Sequence, residues 1–181
     1  MCFKAIASQQ VKVPVAIIQD SPVWMDLGAS LKKLARLIKA AAKKGARLVV
    51  VGETWLPGYP AWLDFCPGAA LWDHAPTKTV FARLRQNSIA VPGAETRFLA
   101  RLTAELEVTL LIGVNEKVEC GAGNGTLFNS LLTFDAKSGL VNRHRKLIPT
   151  YTERLIWGQG GGGGLESSST PFGRVGGLIC W

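Results

Sequence analysis

Arg47-Leu-Val-Val-Val-Gly-Glu53 is a short apolar run that ends in a carboxylate. Without polar alternation, such a run reads as a strand buried inside a sheet, and it brings an acid to the strand's C-terminal end. Immediately before it, Leu31, Leu34, Ala35, Ile38, Ala41 and Ala42 share one face at helical spacing, which predicts a helix from about Ser30 to Lys44. Gly45 then suits the C-terminal cap, and Lys43 and Lys44 lie near the negative end of the dipole. Earlier still, Val13-Pro-Val-Ala-Ile-Ile-Gln19 reads as a strand with its proline near the beginning. Strand, helix and strand make a β-α-β unit, which implies parallel strands, a right-handed crossover and an α/β fold.

The same rhythm recurs further on. Glu95 to Leu106 has the buried stripe Phe98, Leu99, Leu102 and Leu106 of a helix, and Val108-Thr-Leu-Leu-Ile-Gly-Val114 follows as a strand. Asn124-Gly is a turn signal; Leu127 to Phe134 reads as a strand, Asp135 to Gly139 as a hairpin loop, and Leu140 to Lys146 as the returning strand. An antiparallel pair therefore joins the parallel strands. Between Thr54 and Pro92 the chain is rich in Pro, Gly and Trp, with a short helix expected from Thr79 to Gln86. Aromatics on a proline-stiffened loop directly after Glu53 can wall an apolar pocket, or simply pack on the core.

The chain ends with Arg174-Val-Gly-Gly-Leu-Ile-Cys-Trp181, a second apolar run, which reads as a buried strand delivering Cys180. Glu53, Lys146 and Cys180 are thus expected at three strand ends, where open α/β sheets place their chemistry. A thiol, an acid and an amine are what attack on an electrophilic carbon requires: a sulfur, a base for its proton, and a cation for the developing charge. Each has a structural rival, since cysteines are mostly small buried hydrophobes and single charges mostly pair or face water.

Composition limits the alternatives. The 181 residues are 48% hydrophobic and 19% charged, which suits one globular domain with a real core. The formal charge of +8 invites nucleic acid, but Lys32, Lys33, Arg36, Lys39, Lys43 and Lys44 lie on the polar positions of one predicted helix, a solvated face. Only Arg143-His-Arg-Lys146 is densely basic. The N-terminus lacks the apolar core of a signal peptide and no run is long enough to span a bilayer, so a cytoplasmic protein without membrane partners is expected. Cys2, Cys66, Cys120 and Cys180 are widely separated, with no C-x-x-C pair and only two histidines, which suggests free thiols rather than zinc or disulfides. Gly158-Gln-Gly-Gly-Gly-Gly-Gly164 lacks the Gly-Lys-[Ser/Thr] ending of a phosphate loop and reads as a mobile loop.

Three segments together carry a resemblance. Gly45-Ala-Arg-Leu-Val-Val-Val-Gly-Glu-Thr-Trp-Leu-Pro-Gly-Tyr-Pro60 resembles the first signature of the nitrilases. His144-Arg-Lys-Leu-Ile-Pro-Thr150 with Glu153-Arg-Leu-Ile-Trp-Gly-Gln-Gly160 is similar to the family's lysine segment, and Gly176-Gly-Leu-Ile-Cys-Trp181 to its nucleophile segment. The match is nearest the true nitrilase branch of the carbon-nitrogen hydrolases, and implies one domain over residues 1–181 with an incomplete α-β-β-α sandwich. It makes Cys180 the nucleophile, Glu53 the general base, Lys146 the electrostatic stabiliser and Glu153 a supporting carboxylate, with Tyr59 and the Trp181 backbone N–H at the substrate or oxyanion position. The implied reaction converts an organic nitrile and water to a carboxylic acid and ammonia through a cysteine thioimidate and thioester, with no cofactor or metal, in a homo-oligomer.

Two departures accompany the match. Family members continue past Cys-Trp with an acidic residue and a long second half, and Gly161 stands where their glycine loop carries an acid. The chain therefore reads as the N-terminal portion of a nitrilase, and on its own is expected to be poorly soluble and to hydrolyse no nitrile. An amidase of the same superfamily and an inactive fragment are the alternatives.

Overall fold

The computed structural model describes residues 12–180. Cys2 and the Trp181 backbone group lie outside them.

The opening β-α-β unit forms as the periodicity predicts. Strand β1 (Val15–Ile18) leads to helix α1 (Leu27–Lys43) and on to β2 (Leu48–Leu56), and β1 pairs with β2 in parallel. Helix α1 begins three residues before Ser30 because Asp26 caps it, accepting a hydrogen bond from Ala29 N at 2.8 Å. At the other end Lys44 is the cap and Gly45 follows with φ of +89°.

Two short helices follow, α2 (Trp62–Phe65) and α3 (Ala75–Asn87). Helix α3 is longer than the expected Thr79–Gln86 segment, since Pro76 lies in its first turn, where no backbone N–H is needed. Then come β3 (Ile89–Ala90), α4 (Ala94–Leu106), β4 (Thr109–Lys117), β5 (Leu127–Asp135) and β6 (Gly139–Arg145). The main sheet has the order β1-β2-β4-β5-β6, with β3 also pairing to β4. β2 and β3 run parallel to β4, while β5 and β6 are antiparallel to their neighbours, as the hairpin signal at Asp135 to Gly139 predicts.

One face of the sheet is covered by α1 and α4. Leu34 and Ile38 of α1 and Leu99 of α4 are fully buried against Val49, Leu110, Ile112, Val114, Leu132 and Phe134. Burying each such side chain contributes roughly 1.5–3 kcal/mol. The other face behaves differently. Val15 and Ile17 on the β1 edge are 52% and 72% exposed, and towards β4 and β5 the chain lies across it, with Gly177 against Leu111 and Leu131.

The expected terminal strand is not formed. β8 (Gly173–Val175) pairs only with β7 (Ser168–Thr170) in a separate hairpin, and residues 176–180 have no strand pairing. Gly176-Gly177 explains part of this: two residues without side chains weaken any strand, and here Gly177 also sits so close to Leu131 that a Cβ would lie 2.4 Å from its Cδ2. The glycine run is likewise not a free loop. It folds back over β6, with Gly160 N bonded to Lys146 O at 2.9 Å and a short 3₁₀ turn at Gly162–Gly164. Among the described residues no helix is long and apolar enough to cross a membrane.

Candidate active site

Glu53 does not end its strand; it stands in the middle of a bulge. Val51 is paired with Ile112 and Leu56 with Val114, so five steps along β2 are matched by two along β4. The excess chain, Gly52 to Trp55, is pushed out of the ladder, and bulges of this kind re-aim side chains. Thr54 takes a left-handed φ of +48° in full burial, an uncommon state for a β-branched residue.

Lys146 arrives from the opposite side, one residue beyond β6, and is held in register by its own N–H bonding to Asn129 O at 2.8 Å. Its side chain is 4% exposed and lies between two carboxylates, with Nζ 3.1 Å from Glu53 Oε1 and 2.7 Å from Glu153 Oε2. Burial alone would lower the Lys146 pKa, but the hydrogen bonds to Glu153 and Glu53 outweigh it and hold the group above its ordinary value. Lys146 is therefore an ammonium at neutral pH.

The two carboxylates are satisfied unequally. Glu153, in a 3₁₀ turn at Tyr151–Leu155, accepts from Tyr59 OH through Oε1 at 3.2 Å, and from both Lys146 and Thr150 N through Oε2 at 2.7 Å. Glu53 accepts both its bonds on Oε1, from Lys146 and from Asn129 Nδ2 at 2.6 Å. No partner for Glu53 Oε2 is found among the described residues, and this side chain is 40% exposed. Tyr59 keeps its proton, since burial and the Glu153 carboxylate both push its pKa upward. Its ring also meets Trp157 edge to face at 5.7 Å between centroids.

Cys180 is brought to the same region but not into contact. It lines a cavity of about 220 Å³ with His144, Lys146, Leu147, Ile148, Leu165 and Leu178. Its sulfur has one hydrogen-bonding neighbour, Thr150 Oγ1 at 3.8 Å, and its backbone φ is +67°. Of the residues singled out in the sequence, Glu53, Lys146, Glu153 and Tyr59 are joined through direct hydrogen bonds, and Cys180 lines a cavity with Lys146. Asn129 and Thr150 were missed. Asn129 shares β5 with the buried polar residues Ser130, Thr133 and Asp135, so polarity alone did not single it out, whereas Thr150-x-x-Glu153 has the spacing of a capping box, in which the glutamate accepts from the cap's own N–H.

The two arginines of the dense basic cluster belong to a second, separate network. Arg143 and Arg145 both bond to Glu116, whose side chain is 2% exposed and also accepts from Ser130 Oγ at 2.7 Å. Arg145 further stacks 3.8 Å over the Phe128 ring. Arg143 and Arg145 are thus committed to Glu116 and Lys146 to Glu53 and Glu153, while His144 is buried and has its pKa lowered by that burial.

The chain has known relatives. Residues 14–181 match the family model for carbon-nitrogen hydrolase. An aliphatic nitrilase of Sinorhizobium fredii is 39% identical over 94% of this chain and 53% of its own length. An arylacetonitrilase of Aspergillus niger is 36% identical over 94% of this chain and 47% of its own length. Among solved structures, a Saccharomyces cerevisiae protein described as a member of branch 10 of the nitrilase superfamily superposes with a TM-score of 0.67 at 20% identity, over 93% of this chain and 55% of that one. A carbon-nitrogen hydrolase from Helicobacter pylori gives 0.65 at 19% identity, over 93% and 51%. The chain spans about half the length of the curated relatives it matches, and its one helical layer and main sheet make the expected incomplete sandwich. On this match the chain belongs to the carbon-nitrogen hydrolase family, with its curated sequence relatives among the nitrilases.

Proposed function

We propose that the protein hydrolyses an organic nitrile to a carboxylic acid and ammonia, with Cys180 as nucleophile, Glu53 as general base and Lys146 as electrostatic stabiliser. The observation that carries this reading is the unequal satisfaction of the two glutamates. Both oxygens of Glu153 are occupied by donors, so it is suited to orient Lys146 and not to accept another proton. Glu53 is anchored through Oε1 alone, which leaves Oε2 as a fixed and accessible base.

The reaction then runs in balanced steps. An ordinary thiol, with a pKa near ~8.5, is only a few per cent thiolate at neutral pH, so Glu53 takes the Cys180 proton as the sulfur attacks the nitrile carbon. The C–S bond forms as one C–N π bond breaks, and the nitrogen takes the thiol proton from Glu53, giving a thioimidate and restoring the base. Water, losing a proton to Glu53, adds to that carbon, and the nitrogen leaves as ammonia, giving a thioester. A second water releases the acid and returns the proton to sulfur. The Lys146 ammonium faces the charge that develops on nitrogen and then oxygen.

Relatives named as aliphatic nitrilase and arylacetonitrilase support nitriles as the substrate class. The test is ammonia release from an aliphatic nitrile, an arylacetonitrile and the corresponding amides, using the 181-residue chain and, where the gene continues, its whole product. Ammonia from a nitrile supports the proposal. Turnover of amides alone makes the protein an amidase of the same family.

A further inference from the structure

Glu53 lies in the β2 bulge and Lys146 one residue beyond β6, and each rests on backbone that is pressed unusually close to another segment at a glycine. At Gly113 of β4, a Cβ would stand 2.4 Å from Gly52 O, 2.5 Å from Thr54 N and 2.6 Å from Glu53 Cα. All three atoms are backbone of the bulge, so no side-chain rotation can relieve the overlap. At Gly160, a Cβ would stand 2.4 Å from Arg145 O and 2.6 Å from Lys146 O, where Gly160 N also donates to Lys146 O. Real Cβ contacts are not this short, and packed backbone moves as a unit rather than locally.

We infer that Gly113 and Gly160 are positioning residues for the charged half of the site: the first seats the bulge that presents Glu53, and the second clamps the backbone that presents Lys146. Both glycines have ordinary φ values, so it is space and not backbone conformation that requires them. The consequence is geometric. Glu53 must reach Asn129 at 2.6 Å and Lys146 at 3.1 Å at once, and a methyl group under Glu53 Cα displaces the carboxylate by more than a preorganised site tolerates. Alanine at Gly160 lifts the glycine loop off Lys146 and opens its buried amine to water.

This inference rests on the catalytic reading for its rate prediction but not for its second readout. In the active protein, Gly113→Ala and Gly160→Ala each lower kcat by about 100-fold with KM nearly unchanged, the scale expected for a displacement of about one ångström. Gly113→Ala made in a Glu53→Gln background causes no further loss, because the base it misplaces is already gone. Losses that multiply instead of saturating would show that Gly113 serves packing alone and would overturn its assignment. The second readout is acylation of lysine amines by an activated ester, followed residue by residue by mass spectrometry. Lys146 is protected in the parent, and Gly160→Ala raises its labelling several-fold while Lys39 and Lys78 stay constant. Unchanged protection overturns the clamp. If Gly113→Ala does not fold, Gly160→Ala, in a loop outside the sheet, decides through both readouts. If Glu53→Gln keeps full turnover, the catalytic reading fails while the labelling result stands by itself.

Discussion

Lys146 is 4% exposed and bonded to two carboxylates, whereas Cys180 is exposed and, among the described residues, has one hydrogen-bonding partner, at 3.8 Å. Glu53, Asn129 and Lys146 stand on or directly beside strands β2, β5 and β6, which are tied together through β4 by their ladders and share the core with α1 and α4. Cys180, the proposed nucleophile, instead follows a hairpin that is paired only at residues 168–175. On the proposed reading, charged groups in the first region serve structure and chemistry together, while the thiol in the second serves chemistry alone. Substitutions in the two regions should separate accordingly, in rate and in stability.

The largest effect is expected at the thiol. In the full-length, active protein Cys180→Ala abolishes ammonia release while Cys66→Ala and Cys120→Ala retain it, and in the 181-residue chain Cys180→Ala leaves the melting temperature unchanged, because the side chain is exposed and packs little. The same comparison extends to Cys2. Equal loss of turnover at any of these other cysteines would break the assignment.

Next comes Lys146→Met, which should move both quantities. Turnover falls by at least ~100-fold, the scale of losing an oxyanion donor. Stability falls by about 3 kcal/mol as well, since Glu153 would keep its burial and lose its cation. Chemical denaturation beside an ammonia assay checks both, and a full rate loss at unchanged stability would mean that Glu153 is adequately served by Tyr59 and Thr150 N. pH sharpens the point. The folded Lys146 pKa lies above its ordinary 10.5, so its contribution is fully present below that pH and is lost as pH rises through the higher folded value.

The smallest effect belongs to His144, which should alter stability without altering the rate at neutral pH. It is buried with Nδ1 unpartnered, and burial lowers its pKa below the ordinary 6.5. Between the two pKa values the unfolded chain binds a proton that the folded one does not, so stability is lost as pH falls below 6.5, by no more than about 1.4 kcal/mol per pH unit. His144→Leu removes that acid-side loss and, by removing an unpaired polar atom, leaves stability at pH 8 equal or higher. Melting curves of the two proteins from pH 8 to 5 test this, and parallel acid limbs would assign the loss to other groups.

From sequence alone the parallel β-α-β start, the α4 stripe and the antiparallel hairpin were legible, because each depends on periodicity and turn chemistry within a short window. So were Glu53, Lys146, Glu153 and Cys180 as candidates, since the segments around them resemble a family's motifs. The bulge in β2 could not be read there. It arises from register against β4, which only pairing defines, and it turns Glu53 from a strand-end residue into the apex of a loop seated on Gly113. The terminal run reads as a strand by composition, yet an apolar run needs a partner ladder to become one, and among the described residues β8 finds only β7. Which glutamate keeps a free oxygen is likewise a property of three dimensions. Glu53 and Glu153 are the same residue type in similarly suggestive motifs, and they differ only because Tyr59 and Thr150 N reach one while Asn129 reaches the other.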